Sequence, residues 1–307
     1  MNKMRNLSSN VNIKYLAISF TIVTLVLAIL TILFTIYILY RLISFIKYQQ
    51  ERLSKSQSRR IGLLHSVNTY IHILGSVLIF FVMSTRTFYG DLFLKEFHLT
   101  NSTPSWHCRL VNYFMSMFAS GVYGSCFLQA LFRYWRIMYP YKRIYKKYSF
   151  HQRLILFHWI LTFILSIPVW FRSAYIFGEN FCLNRFTDTY SSIYISTIAV
   201  GIPVTSITFV YIKIILFVKY HWQTRKRWRR MKRDILIIKR ILLLVFVLLK
   251  VSTAAIILWL LMFIQQRLHP LSYRILCLIS TFGMTIFSLT LLIVSPQLKR
   301  ALIHSIV

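Results

Sequence analysis

Residues 108–140 read CRLVNYFMSMFASGVYGSCFLQALFRYWRIMYP. The stretch opens on Cys108, runs from Leu110 to Phe132 without a charge, and closes on Arg133-Tyr134-Trp135-Arg136 and Pro140. At the helical rise, Cys108 to Arg133 spans roughly 37 Å. That slightly exceeds the hydrocarbon core of a bilayer, so the cysteine falls at one membrane surface and the arginine at the other. The segment reads as a membrane helix with a covalent tether at one end and a charged contact at the other.

The rest of the chain has the composition such a helix needs. Of 307 residues, 57% are hydrophobic and only 14% charged, far more apolar than a soluble domain of this size. Lys and Arg number 37 against 6 Asp and Glu, a net charge of +31. This excess does not imply nucleic acid as a partner, because the charges lie between apolar runs. Four cysteines are too few for a disulfide scaffold, but one pair on an outer face would serve as a staple.

Apolar runs mark an all-α, polytopic membrane protein, a seven-transmembrane helix bundle. Its spans are expected at about 15–40, 61–85, 108–134, 154–171, 189–212, 241–266 and 275–294, which makes 15–294 one membrane domain. Residues 1–14 form a short N-terminus, and 295–307 a tail with a short surface helix. The first run, Tyr15 to Tyr40, is too long for a signal core and reads as an uncleaved helix. In the second, Asn68, His72 and Ser76 recur every four residues, a polar stripe expected to face neighbouring helices. Arg86 to Trp106 reads as a polar connection containing Asp91. The short turn holding Pro270 leads to the seventh span at Ile275.

Charge sets the orientation. With the loops after spans one, three and five and the tail in the cytoplasm, 26 Lys/Arg lie inside and 10 outside, while Lys250 lies within a span. The positive-inside rule then places the N-terminus outside, where four of the six acids also fall. Both glycosylation sequons, at Asn6 and Asn101, land on that same face. The chain is expected in the plasma membrane.

With the orientation in hand, the chain resembles a divergent rhodopsin-like (class A) G-protein-coupled receptor. The family links a cysteine atop its third helix to one in the second outer loop, which implies Cys108 with Cys182. The family motif Asp/Glu-Arg-Tyr, followed seven residues after its Arg by a proline, is similar to Phe132-Arg133-Tyr134 and Pro140. Trp159 and Pro168 match fourth-helix positions. Pro203 matches the fifth-helix proline, and Tyr211 the tyrosine that packs toward the Arg in active members. There are departures too. Phe132 stands where the acid pairs with the Arg, helix two has no aspartate, and helices six and seven lack the Trp-x-Pro and Asn-Pro-x-x-Tyr motifs. Ser295-Pro296 is the nearest remnant of the latter.

The resemblance implies a heterotrimeric G protein as partner, engaged through Arg133, Tyr134, Pro140 and Tyr211, although an arginine at this depth can equally be an interfacial anchor. Without an acid at position 132, raised basal activity is expected. Ligand contacts are assigned to Asn112, Met115 and Ser116 below Cys108, any of which can also be plain helix packing. Met115 occupies the position of the aminergic aspartate, which disfavours a biogenic amine. Lys250 is costly in lipid and either meets an anionic or carbonyl-bearing ligand from outside or snorkels within the bundle. The basic run from Arg225 to Arg233 suits anionic membrane lipids, or acidic parts of a G protein. No cofactor or metal is expected, and no enzyme motif is present. A transporter and a non-signalling seven-helix scavenger receptor are the competing readings.

Overall fold

The structure is a computed structural model. It describes residues 2–52, 57–93, 106–172, 174–176, 181–183, 188–220 and 271–294, with runs of one to three residues between 246 and 264. Helix α1 spans Asn2–Arg52, α2 Gln57–Phe93 and α3 Trp106–Met138. A 3-10 turn, Arg143–Lys146, leads into α4, Tyr148–Leu165, and α5, Ile167–Arg172. Strands β1, Ala174–Ile176, and β2, Phe181–Leu183, pair antiparallel. Helix α6, Thr189–Ile195, passes through a π-helical segment, Ser196–Gly201, into α7, Ile202–Tyr220; α8 is Ser272–Val294.

The helices run past the apolar segments that announce them. No Gly or Pro occurs before Gly62, so nothing in α1 interrupts a helix once its apolar centre has formed. Helix α2 likewise continues to Phe93 and takes in Asp91, which corrects the reading of 86–106 as a connection from its first residue. Breaks fall where the chemistry demands them. Pro168 cannot donate to the carbonyl four residues back, and α4 gives way at Ser166 to α5. Pro203 follows the π segment, and the Thr205 hydroxyl donates to the Gly201 carbonyl at 2.8 Å beside it.

Among the described residues, six segments are long and apolar enough to cross a membrane: Lys14–Ile46, Arg60–Leu92, Trp106–Met138, Tyr148–Arg172, Thr189–Phe217 and Ser272–Ile293. The expected sixth span, 241–266, lies largely outside the described residues; the positions described within it are helical. The tail 295–307, Asn101 and the basic run 225–233 lie outside them as well. Large apolar side chains such as Leu30, Leu33, Phe157 and Phe209 are exposed along the outside of the bundle, as a lipid-facing surface requires.

Helix α3 is the hub and touches α2, α4, α5, the π segment, α7 and both strands. The main core joins Leu42 of α1, Tyr70 and Ile73 of α2, Val122 and Cys126 of α3, Tyr211 and Ile214 of α7, and Phe287 of α8. Lipid tails are as apolar as this core, so close packing and polar contacts must hold the helices together. Threonines of α1 illustrate the rule. Thr31 donates to the Leu27 carbonyl at 2.7 Å, and its hydroxyl also meets that of Thr285 on α8 at 2.6 Å. The Tyr70 hydroxyl donates to the Ser288 carbonyl at 3.0 Å, and Gln129 donates to Thr69 at 2.8 Å. The stripe Asn68, His72 and Ser76 is buried, as its spacing predicts.

Candidate functional site

Two clusters sit at opposite ends of α3. At the Arg133 end, Phe132 is buried and Arg133 half-buried. Alternation along the helix turns Phe132 toward α2 and α4, where its ring lies 5.2 Å from His151, edge-on at 88°, and 5.6 Å from His65. The two imidazoles are hydrogen-bonded to each other, His65 Nε2 to His151 Nδ1, at 3.1 Å. His151 Nε2 then reaches the Tyr145 carbonyl in the 3-10 turn at 3.0 Å. Trp135 stacks on the Tyr145 ring at 5.1 Å and 5°, so the segment after α3 folds back against it. Pro140 occupies the turn, closed by Lys142 N–H donating to the Tyr139 carbonyl at 3.3 Å. Tyr134 meets Tyr139 edge-on at 6.1 Å.

On the α7 side, Tyr211 is almost wholly buried, with the Arg133 charge within electrostatic reach of its hydroxyl. That hydroxyl has no hydrogen-bond partner among the described residues. Arg133, Tyr134, Pro140 and Tyr211 therefore belong to one end of the bundle.

At the other end, Cys108 is fully buried in the first turn of α3. Strand β2, which carries Cys182 opposite Tyr175 of β1, packs against α3. Cys126 and Cys277 are buried inside helices α3 and α8. One turn below Cys108, Asn112 is buried, whereas Met115 and Ser116 are half-buried. Met115 packs against Phe80 and Met83 of α2 and Tyr273 and Cys277 of α8. Asp188 caps the start of α6, accepting from the Ser191 hydroxyl at 2.7 Å and from Arg172 at 3.4 Å. Partial burial pushes its carboxyl up, but the Ser191 bonds and the Arg172 guanidinium hold it below the usual carboxylate range.

Sequence reasoning missed the strongest polar contact at this end. Arg274, in the first turn of α8 rather than in the turn before it, forms a two-pronged ion pair with Asp91 of α2. Nη2 donates to Oδ1 at 2.8 Å, and Nη1 donates both to Oδ2 and to the Thr21 hydroxyl of α1, the latter at 3.1 Å. Arg274 is 6% exposed, so this clamp ties the last turn of α2 and the first turn of α8 to the body of α1 in a desolvated setting. The sequence signal was no more than one Arg and one Asp among the charges of two segments read as connections.

Trp159 donates from Nε1 to Asn68 Oδ1 at 2.8 Å and stacks on His72 at 4.3 Å, which fixes α4 against α2. Lys250 is exposed, its ammonium 5.2 Å from the centre of the Phe246 ring. A cation over an aromatic face gains some of the stabilisation that an acid partner would otherwise supply. Asn6 lies on the backbone of α1.

The profile of the 7 transmembrane receptor (rhodopsin family) matches residues 92–295, well over half of the chain. A search of curated protein sequences finds no match. The membrane helices and the family match together define a multi-pass, rhodopsin-like receptor of the G-protein-coupled class. The chain belongs to the rhodopsin family of seven-transmembrane receptors.

Proposed function

We propose that this receptor senses an extracellular small molecule or peptide and signals through a heterotrimeric G protein engaged at the Arg133 end. The observation that carries the reading is the grouping of half-buried Arg133 with Tyr134, Tyr211 and the Pro140 turn within a rhodopsin-family chain. A guanidinium there can donate to backbone carbonyls of an inserted helix. The proposal includes seven helices, with 241–266 as the sixth, an N-terminus outside, residues 295–307 as a cytoplasmic tail, and residence in the plasma membrane. Asn6 and Asn101 are proposed as glycosylation sites. A Cys108–Cys182 disulfide is proposed to pin the β hairpin over the bundle. It is supported by the packing of β2 on α3 and by the position of the other two cysteines, buried within α3 and α8 away from the hairpin's sequence.

The ligand is proposed to contact Asn112, Met115 and Ser116. Lys250, exposed beside Phe246, is proposed to join that set if the ligand carries an anionic or carbonyl group. Phe132 cannot form the ion pair an acid would make with Arg133, so the inactive state is less restrained and basal activity is raised. The test is ligand-free G-protein activation in cells, native chain against Arg133→Ala, at equal surface expression. We expect a basal signal that falls at least about tenfold in the variant, the scale of one lost charge-assisted contact. A native signal unaffected by the substitution would remove Arg133 from the mechanism.

A further inference from the structure

The residue before Arg133 is held by two histidines. Tyr145 offers a carbonyl oxygen, which can only accept, so His151 Nε2 must be the N–H of that contact. In a neutral ring Nδ1 is then an acceptor, and the 3.1 Å contact requires His65 Nε2–H to donate to it. The result is a one-way chain of donors, from His65 on α2 through His151 on α4 to the backbone of the 3-10 turn. Both imidazoles are buried, at 1% and 0% exposure, so neither bond is replaced by water when it breaks. The ring of Phe132 rests against both histidines. One relay therefore restrains the helical turn bearing Arg133 and the backbone of the following loop together.

Nothing else described anchors the loop so deeply. Residues Arg143–Lys146 include no buried side chain, and Tyr141 and Ile144 are exposed at 82% and 56%. We propose that His65 and His151 are positioning residues for G-protein coupling, holding the 139–147 loop in the conformation that presents its exposed face to the partner. This rests on the coupling role proposed above.

The test uses the full chain in lipid nanodiscs, reading amide hydrogen exchange in 139–147 alongside nucleotide exchange on an added G protein. His65→Phe keeps a ring against Phe132 and removes the donor. His65→Gln places an amide N–H as many bonds from the backbone as Nε2, and His65→Asn falls short. We expect exchange in the loop to speed up about fivefold in His65→Phe and His65→Asn, the scale of one lost hydrogen bond. Nucleotide exchange should fall in step, and His65→Gln should restore both. Unchanged loop exchange in the Phe variant would overturn the proposal. So would a Gln variant as fast as the Phe variant, since then ring packing and not the bond matters. If the Phe variant does not fold, the Gln–Asn contrast decides alone. A native chain that activates no G protein defeats the coupling reading, while loop exchange still tests the tether.

Discussion

Two histidine pairs bridge α2 and α4 with the same ring geometry, and they differ in their hydrogen bonds. His65 faces His151, and seven residues on in each helix His72 faces His158, about 10 Å further along the bundle. Both pairs have ring centres 5.2 Å apart and nearly perpendicular planes, at 86° and 80°. The first pair is hydrogen-bonded and wired to a backbone carbonyl. In the second, none of the four ring nitrogens has a partner among the described residues. Packing holds that pair instead. Trp159 stacks on His72, and α3 presents glycines to both rings. A Cβ on Gly121 would stand 2.2 Å from His72 Nδ1, and one on Gly124 2.2 Å from His158 Nε2. The same side chain on the same helix face thus serves as a connector in one layer and as a shaped filler in the next.

Of the two ion pairs given above, Arg274–Asp91 is the buried one. Arg274→Met leaves the Asp91 charge buried and unpaired, and should cost about 3–5 kcal/mol. Thermal unfolding in detergent checks this, and a loss as small as that of a surface ion pair would show that water reaches the clamp. Next comes the filler layer. Gly121→Ala drives a methyl into the His72 ring and should destabilise by about 3 kcal/mol. Adding His72→Ala should return most of that loss, a coupling that a double-mutant cycle measures directly. Additive losses would mean that the glycine serves something other than the ring.

The smallest effect separates the two layers most sharply. His72→Phe replaces an unpartnered ring by an apolar one of similar shape and should be neutral within about 0.5 kcal/mol. His65→Phe removes a donor and strands the His151 acceptor, at about 1–3 kcal/mol. Equal unfolding temperatures for the two variants would erase the distinction.

Much of this was legible in the sequence, because membrane helices are announced locally. Length and hydropathy announced six membrane-spanning segments among the described residues, and four-residue spacing turned Asn68, His72 and Ser76 inward, but the break at Ser166 inside the expected span 154–171 was not foreseen. Arg133 and Pro140 mark their end of α3 by position alone. Partners were not legible. Asp91 and Arg274 stand 183 positions apart, and His65 and His151 stand 86 apart. Helix boundaries hid the first pair, since α2 and α8 extend beyond their apolar cores and carry both charges in their end turns. For the histidines, the heptad spacing in each helix was visible, but which layer bonds and which merely packs was not. That depends on the rotation of α4 against α2 and on how closely Gly121 and Gly124 let α3 approach. Sequence by itself determined that the described spans are membrane helices and that α2 buries its Asn68, His72 and Ser76 side, because both follow from the period of a helix and the apolarity of lipid. Tertiary structure alone decided the partner of each buried polar group, because a hydrogen bond depends on fractions of an ångström that only the packed bundle sets.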